Sequence, residues 1–543
     1  MLYYGKGNLL VMGRDKDMGI YLNPGDELFQ EAIRSEIYVD KTGLLNYTNK
    51  VLRTSRKYLC VSRPRRFGKS MAANMVAAYY DRTADAMHTF AGKEIVQSPD
   101  FETYCNKYDV IQLNIQDFLS RSSGADGLLK LLKKSLLRDL LKTYPNEDYL
   151  DATDLVETMA EIYDATKRPF VIVIDEWDCI FREYRDNKDW QRLYLDFLRG
   201  WLKDKSYVAL VYMTGILPVK KYGTHSALNM FWEFSMEDPL ELAPYVGFTN
   251  SEVKTLCQKY ARNFEECQRW YDGYSFQEVG EVYNPHSVVR AVSSGRFDTY
   301  WNQTETYEAL KIYITMNFDG LRDSIIKLLA GERQTINTKT FSNDMTTFAS
   351  ADDVLTLLVH LGYLGYDSTS REVFIPNQEI AIEYYNAITN TDWDIVAHAL
   401  KQSEKLLQSV LTKDAEAVAK GMEEAHMETS HIQYNDENAL SYTLSLAFYS
   451  ARQKYIIIRE LPTGKGYADL TFLPRPGHAD LPALIVELKW NKDADTALRQ
   501  IKDRRYSKAL ENYTGRILAV GVNYDKETRQ HECLIEEYEI TDN

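Results

Sequence analysis

The sequence predicts an α/β protein with more than one domain. Residues 1–235 and 426–543 both alternate β-rich runs with helical stretches, and the apolar runs of the first region are continuous. Continuous apolar strands are typical of a parallel sheet that is covered by helices on both faces. The chain has 543 residues, a length for which about three to four domains are expected.

The four β-rich runs of the first region alternate with helical stretches, and they fall at residues 57–63, 110–115, 169–175 and 207–215. Residues 236–425 have mainly helical patterns. Near 351–390 the pattern predicts a helix followed by a hairpin, an order that suits a small winged-helix module. From about residue 426 the alternation returns, with expected strands at 454–460, 467–473, 482–489 and 515–523 and expected helices at 436–452 and 494–511.

Composition and charge exclude several classes of protein. The 64 basic and 79 acidic residues leave a net charge of −15, which argues against a general nucleic-acid coat or a binder of anionic membranes. One basic groove on one domain remains compatible with it. The six cysteines form no CxxC pair, and the chain has no apolar run of the ~18 residues that a membrane span needs. No signal peptide is evident, so we expect a cytoplasmic protein.

A phosphate-binding loop is the first functional motif. Residues 63–70 read RPRRFGKS, follow an expected strand and open an expected helix. Gly68, Lys69 and Ser70 match the end of the GxxxxGK[ST] pattern, in which lysine reaches the phosphates and the hydroxyl ligates Mg²⁺. Arg63 stands where the pattern has its first glycine. The rest of the expected nucleotide contacts in this loop are Arg65, Arg66 and Phe67.

An acidic strand end supports the loop. The run 169–175 ends in Asp175-Glu176, where Asp175 would hold Mg²⁺ and Glu176 would act as the base for the attacking water. A simple helix cap is the alternative interpretation. The next strand ends in Thr214, a candidate sensor of the γ-phosphate. A further strand between the two motifs predicts a P-loop ATPase of the additional-strand type, with ATP and Mg²⁺ as cofactors.

The second functional motif lies near the C-terminus. Asp469 falls in one expected strand, and Glu487 and Lys489 share one face of the next, because they are two residues apart. Together they form the D…ExK pattern of restriction-endonuclease-like α/β domains, in which the acids share Mg²⁺ and the lysine positions water. Glu437 is a candidate outer ligand of the metal. A solvated face of charged strands is the alternative, but the strand around Glu487 is otherwise apolar.

A basic helix follows this pattern. Its interpretation as a phosphate-contacting element competes with that of a solvated helix face. The candidate nucleic-acid contacts on it are Gln500, Lys502, Arg504, Arg505 and Tyr506.

The motifs together resemble a known family. IYVDKTGLL, RPRRFGKS, VIVIDEWD, WYDGYSF and GYADL…IVELKW…QIKDRRY are similar to bacterial proteins in which an AAA-ATPase-like domain is fused to a C-terminal PD-(D/E)xK nuclease domain. The resemblance spans nearly the whole chain. The phosphate loop of that family itself has arginine in the place of the first glycine, so Arg63 does not argue against nucleotide binding.

The resemblance and the motifs imply four regions and one leading function. We expect an ATPase domain at 1–235, a helical lid at 236–305, a winged-helix and helical region at 306–425, and a nuclease-like domain at 426–543. The leading function is an ATP-binding and hydrolysing protein coupled to a Mg²⁺-dependent nuclease that acts on DNA or RNA. This function is compatible with a homo-oligomer. The alternatives are a nucleotide-gated signalling protein whose nuclease fold only binds nucleic acid, and an ATPase with a decayed nuclease domain.

Overall fold

The described part of the chain is extensive and interrupted. The computed structural model describes residues 18–219, 221–222, 225–226, 228–301, 310, 312–313, 318–329, 331–342, 345–346, 348–389, 394–429, 448, 451, 454–463, 466–474, 478, 480–503, 515–528 and 530–539. The chain forms two compact units: residues 1–306 with 334–382, and residues 307–333 with 383–543. The four domain ranges expected from the sequence stay predictions.

A five-stranded parallel sheet forms the centre of the first unit. Its order is β2-β3-β4-β1-β7, so β4 lies between β1 and β3. This order confirms the predicted additional-strand sheet. The strands are β1 (Tyr58–Ser62), β2 (Asp109–Asn114), β3 (Phe170–Asp175), β4 (Val208–Gly215) and, after a short hairpin of β5 (Lys221–Tyr222) and β6 (His225–Ser226), β7 (Trp232–Phe234).

Apolar burial explains why these runs are strands. Every residue of β1, β3 and β4 is buried, as expected when both faces of a parallel sheet are covered. The carboxyl ends of β1 to β4 meet at one edge, which is where ligands bind in open α/β sheets. The helices of this region are Glu27–Ile33, Leu44–Val51, Lys69–Tyr80, Ala86–Thr89, Phe101–Tyr104, Ile115–Ser120, Gly124–Thr143, Leu155–Thr166, Cys179–Glu183 and Lys188–Leu202, with 3-10 turns at Glu94–Gln97 and Leu240–Leu242.

A small helical region follows in the same unit. It combines an antiparallel sheet of order β8-β10-β9 with three helices that share a core around Cys257, Tyr271 and Val288. Gly273 has a φ of 97°, and a Cβ there would lie 2.1 Å from the Pro376 carbonyl oxygen, so the turn requires glycine. The elements are β8 (Phe248–Thr249), β9 (Tyr274–Phe276), β10 (Gly280–Tyr283) and the helices Asn250–Lys259, Phe264–Tyr271 and Pro285–Ser294.

A helix and hairpin complete the first unit. The helix Ala351–Leu361 ends at Gly362, whose φ of 86° stops it, and the expected hairpin follows. The small sheet has the order β11-β13-β12, and the winged-helix assignment stays a prediction. The strands are β11 (Gln334–Thr335), β12 (Gly365–Asp367) and β13 (Glu372–Phe374), and a 3-10 turn spans Thr338–Thr340.

The second unit is built on a mixed sheet of order β14-β15-β16-β17-β18. Only the β16–β17 pair is parallel; the other three pairs are antiparallel. The strands are β14 (Tyr455–Thr463), β15 (Gly466–Pro474), β16 (Ala483–Trp490), β17 (Arg516–Asp525) and β18 (Gln530–Glu539). The helices are Leu321–Leu329, Asp394–Leu411, Ala415–Thr429 and Ala494–Asp503, and the helix Gln378–Thr389 contains the boundary between the units.

The faces of this second sheet differ. Leu484, Val486 and Leu488 of β16 point into a core shared with the helices Asp394–Leu411 and Ala415–Thr429. The alternate residues of β16 therefore face the opposite side. In the part of the chain that the structure describes, no helix combines the length and the apolar character needed to cross a membrane.

Candidate nucleotide and nuclease sites

The loop after β1 has the backbone of a phosphate cradle. Arg66 and Gly68 both have positive φ, 67° and 92°, and the helix Lys69–Tyr80 starts directly afterwards. Left-handed residues beside helical ones turn successive N–H groups toward one point, and a helix N-terminus adds positive potential. Phe67 is fully buried and packs edge-on against Tyr274, and this contact anchors the loop to the rest of the unit. The sequence motif thus adopts the geometry that its chemistry requires.

The side chains of the loop differ in exposure. Lys69 is only 4% exposed and donates to the Pro64 carbonyl oxygen at 2.9 Å, while Ser70 is exposed. Burial lowers the pKa of Lys69, and nearby Glu176 and Asp175 oppose this effect. Arg66 donates to the Tyr300 carbonyl oxygen at 2.5 Å. The Lys69 ammonium is thus buried, bonded to a backbone carbonyl and close to the carboxylates of the acidic strand end.

The strand ends bring Asp175 and Thr214 together. Asp175 is 5% exposed, and one of its carboxylate oxygens accepts a hydrogen bond from the Thr214 hydroxyl. The other carboxylate oxygen lies 3.5 Å from the amide nitrogen of Asn114, at the end of β2. Since Thr214 is fully buried and bonded to Asp175, its contact with a γ-phosphate stays a prediction.

Glu176 is engaged by a cation that the motif analysis did not identify. It has a φ of 53°, and Oε2 lies 2.5 Å from Nη2 of Arg182. The Nε of Arg182 lies 3.3 Å from Asp178, which is fully buried and accepts the backbone N–H groups of Ile216 and Leu217. Burial raises the pKa of Glu176, while Lys69 and Arg182 oppose that rise. The acidic strand end is therefore a network of charges, not a simple helix cap.

A cavity of about 810 Å³ is lined by several of these groups, while Asp175, Asp178 and Thr214 are not among its described lining residues. The polar part of the lining includes the loop residues 65–70, Asn114, Glu176 and Arg182, and the apolar part includes Phe29, Ile37, Val39, Met75 and Phe248. The volume lies within the range of about 300–1,000 Å³ that ligand pockets occupy. A lining that combines charged and apolar side chains suits a nucleotide, which has charged phosphates and a largely apolar base.

Helical-region residues also line this cavity. Lys41 is bonded to both carboxylate oxygens of Glu252, at 2.6 and 2.7 Å, and to the Pro244 carbonyl oxygen. Tyr245, Phe248 and His286 contribute to the wall as well. Lys41 therefore contributes to the cavity wall as one member of an ion pair with Glu252.

Arg63 turns away from the phosphate loop. It is fully buried and is not among the described residues that line the cavity. Its Nη1 donates to the carbonyl oxygens of Ser62, Phe234 and Ser235 at 2.8 to 2.9 Å. Burial lowers the pKa of Arg63 to about 10. The side chain thus ties the end of β1 to the end of β7, which explains physically how arginine occupies a place that usually holds glycine.

The second unit brings Glu487 and Lys489 together on one face of β16. Glu487 is 2% and Lys489 6% exposed, and Nζ of Lys489 lies 3.0 Å from Oε1 of Glu487. Gln500, on the helix Ala494–Asp503, donates to the same oxygen. This helix packs directly against β17 at Gly521, where a Cβ would lie 2.5 Å from the Ala494 carbonyl oxygen. The predicted pair and Gln500 therefore form one buried polar cluster.

The backbone places Asp469 next to this cluster. The antiparallel pair β15–β16 includes Leu470 opposite Val486, and Asp469 and Glu487 are the next residue on each strand. Lys502 lies within the helix Ala494–Asp503. The predictions for Glu437, Arg504, Arg505 and Tyr506 fall outside the described residues.

Metal ligands are the least defined part of this site. Among the described side chains, no group of three or more His, Cys, Asp or Glu residues is arranged to hold a metal ion. That survey does not include the side chain of Asp469, since only its backbone is described. Glu487 supplies a buried carboxylate, a ligand type that suits Mg²⁺.

Sequence reasoning missed Arg182, Asp178 and Asn114. Asn114 ends a strand at the ligand edge of the sheet, a signal that was present in the pattern. Arg182 and Asp178 lie beyond the acidic strand end; Asp178 closes the VIVIDEWD motif without an assigned role, and Arg182 lies outside it. Their importance arises from the fold, which returns the helix Cys179–Glu183 to the cavity.

Comparisons with known proteins agree with this geometry. Residues 25–224 match the family described as "Predicted AAA-ATPase", and residues 436–533 match the "PD-(D/E)XK nuclease superfamily". The "Uncharacterized protein in vnfD 5'region" of Azotobacter chroococcum mcd 1 is 23% identical over 521 residues, which cover 91% of this chain and 93% of that protein.

Solved structures show weaker likenesses. Cdc6p from Pyrobaculum aerophilum has 8% identity and a TM-score of 0.25, and covers 64% of this chain and 93% of its own. The ORC2 protein of Aeropyrum pernix has 12% identity and a TM-score of 0.30, with coverages of 67% and 98%. The Aeropyrum pernix ORC1 protein in complex with DNA has 11% identity and a TM-score of 0.22, with coverages of 85% and 96%.

The fold assignment rests on strand order and on the family matches. Strands β1 to β4 of the parallel sheet fall within the residues matched to the ATPase family, and β15 and β16 fall within those matched to the nuclease superfamily. The chain therefore carries an AAA-ATPase-like domain and a PD-(D/E)XK nuclease-superfamily domain, the architecture that the sequence resemblance implies.

Proposed function

We propose that the chain binds and hydrolyses ATP at the loop 63–70 and that this ATPase acts with a Mg²⁺-dependent nuclease in residues 426–543. One observation carries the first half: a single cavity is lined by Lys69 and Ser70 at the helix N-terminus and by Glu176 at the strand end. These are the groups that phosphoryl transfer to water needs, namely a phosphate cradle and a base.

The residues divide the work of ATP hydrolysis. The loop N–H groups and Lys69 bind phosphate oxygens, and Glu176 accepts the proton of the attacking water. The hydroxyl of Ser70 and the carboxylate of Asp175 are hard oxygen donors that fit Mg²⁺. When bound, Mg²⁺ supplies positive charge that neutralises the phosphates. Asn114 and Thr214 hold Asp175 in place through hydrogen bonds to its two oxygens.

The nuclease half rests on the buried cluster of Glu487, Lys489 and Gln500. A charged pair inside an apolar strand lowers stability unless its hydrogen bonds offset the desolvation of both charges. Such a pair is therefore a candidate for a functional role. Asp469 and Glu487 would bind Mg²⁺, which polarises the phosphodiester, and Lys489 would orient water. Arg504, Arg505 and the rest of the predicted basic run would contact the nucleic-acid backbone.

The alternative is a protein that binds nucleic acid without cleaving it. The ion pair between Lys489 and Glu487 is compatible with that function also, because it satisfies both charges without metal. Metal-dependent cleavage separates the two possibilities.

Equilibrium binding of ATP to the full chain tests the first half of the proposal. We expect Lys69→Ala to weaken binding by at least about tenfold, since a charged hydrogen bond contributes about 1.5–3 kcal/mol. Lys50→Ala is the matched control, because Lys50 is exposed and lies outside the cavity lining. Equal ATP affinity in wild type and Lys69→Ala would refute the phosphate-loop assignment.

Cleavage of labelled DNA and RNA in Mg²⁺ or Mn²⁺ tests the second half. We expect Asp469→Ala and Lys489→Ala to lose cleavage, while Lys526→Ala, at an exposed position after β17, retains it. Absence of cleavage of every substrate by wild type, with and without ATP, would favour the binding-only alternative.

A further inference from the structure

Arg182 is fixed on one side of the nucleotide cavity. It is 6% exposed, and its Nε lies 3.3 Å from Oδ2 of Asp178. Asp178 is itself immobilised, because the same oxygen accepts the N–H groups of Ile216 at 3.0 Å and Leu217 at 2.8 Å. These residues directly follow β4 at the ligand edge of the sheet. The guanidinium is thus anchored to the sheet by a rigid carboxylate.

The other side of the guanidinium engages the proposed base. Nη2 of Arg182 lies 2.5 Å from Oε2 of Glu176, whose side chain is 23% exposed. An ion pair with arginine makes a carboxylate a weaker proton acceptor. This ion pair therefore occupies Oε2 of Glu176, one of the two oxygens through which the carboxylate would bind the attacking water.

A phosphate would offer Arg182 another anionic partner. Arg182, Glu176 and Lys69 all line this cavity, and the charges of Glu176 and Arg182 both act on Lys69. Among the described residues of the lining, Glu176 is acidic and five residues are basic, which favours an incoming anion: Lys41, Arg65, Arg66, Lys69 and Arg182. Arginine binds phosphate oxygens through strong, charge-assisted hydrogen bonds, so it can exchange a carboxylate for a phosphate.

We propose that Arg182 exchanges Glu176 for the terminal phosphate of ATP, while Asp178 keeps the guanidinium in place. The exchange releases Glu176 only when a γ-phosphate is present, and ADP leaves the ion pair intact. Arg182 then binds the phosphate, and it also makes the release of Glu176 depend on which nucleotide is bound. This inference rests on the proposed ATP site, and it adds the residue that discriminates ATP from ADP.

A double-mutant cycle on equilibrium binding tests the exchange. The probes are a non-hydrolysable ATP analogue and ADP, each titrated against wild type, Glu176→Gln, Arg182→Gln and the double variant. Glu176→Gln weakens the competing ion pair, so we expect it to tighten the ATP analogue about tenfold and to change ADP affinity less than about twofold. In the Arg182→Gln background the gain should vanish.

The outcomes are distinguishable from one another. An equal gain with and without Arg182, or an equal gain for ADP, would overturn the exchange, because a general loss of negative charge would then explain it. If wild type binds neither nucleotide, the proposed ATP site fails together with this inference. Arg182→Lys provides a second background if Arg182→Gln does not fold: it should reduce the gain without abolishing it, and an undiminished gain would count against the exchange.

Discussion

Replacing Lys489 by methionine tests the buried cluster of the second unit through stability alone. The side chains of Lys489 and Glu487 are 8% and 3% exposed and lie 3.0 Å apart. Methionine keeps most of the volume but leaves the carboxylate of Glu487 with the amide of Gln500 as its identified donor. Removing one partner of a buried pair costs about 3–5 kcal/mol, and the remaining amide donor favours the lower value, about 3 kcal/mol.

Hydrogen exchange of the β16 amides is the suitable assay, because the chain has two units and need not unfold in one step. A loss of about 3 kcal/mol corresponds to exchange that is roughly 100-fold faster. The double variant Glu487→Gln, Lys489→Met should recover most of the protection, since it leaves no unpaired charge. Exchange within about threefold of wild type in Lys489→Met would refute the reasoning.

Two further predictions concern the first unit. Arg63→Gly, which restores the usual loop residue, should lower stability by about 3 kcal/mol without tightening ATP, because three carbonyl groups lose their donor; unchanged thermal stability would contradict this. Burial and Asp272 raise the pKa of Glu281 to about 7 from 4.5. The folded state thus loses stability as pH rises from about 4.5 to about 7. Glu281→Gln should therefore make the melting temperature depend less on pH between pH 5 and 8. Parallel curves for wild type and variant would exclude this effect.

The central strands were predictable because burial on both faces leaves a strong sequence signal. The apolar runs expected at 57–63, 110–115, 169–175 and 207–215 became β1 to β4, each within one residue at either end. The pattern likewise placed Asp175 and Thr214 at the ends of two strands, whereas the hydrogen bond between them follows from the strand order of the folded sheet.

Short and mixed strands were not predictable in the same way. β7 has only three residues, two of them exposed, and it exists because β1 offers an open edge and Arg63 binds its carbonyl groups. β18 alternates core residues such as Cys533 with acidic residues, so it lacks the continuous apolar run that marks a strand buried on both faces. Both depend on a neighbouring strand that local sequence does not reveal.

The pairing of the proposed site residues was partly predictable, but their other partners were not. Glu487 and Lys489 followed from a spacing of two along a strand, and their hydrogen bond agrees with it. Arg182 has no motif, and its contact with Glu176 depends on where a five-residue helix, Cys179–Glu183, returns to the cavity. Contacts of this kind follow from packing rather than from residue spacing.

Nucleic-acid cleavage by the full chain, measured with Mg²⁺ in the presence and absence of ATP, tests the central claim most directly. The wild type should cleave faster with ATP, Lys69→Ala should show no response to ATP, and Asp469→Ala should not cleave under either condition. Cleavage that ATP leaves unchanged would contradict the coupling, and cleavage that survives Asp469→Ala would contradict the assignment of the nuclease site.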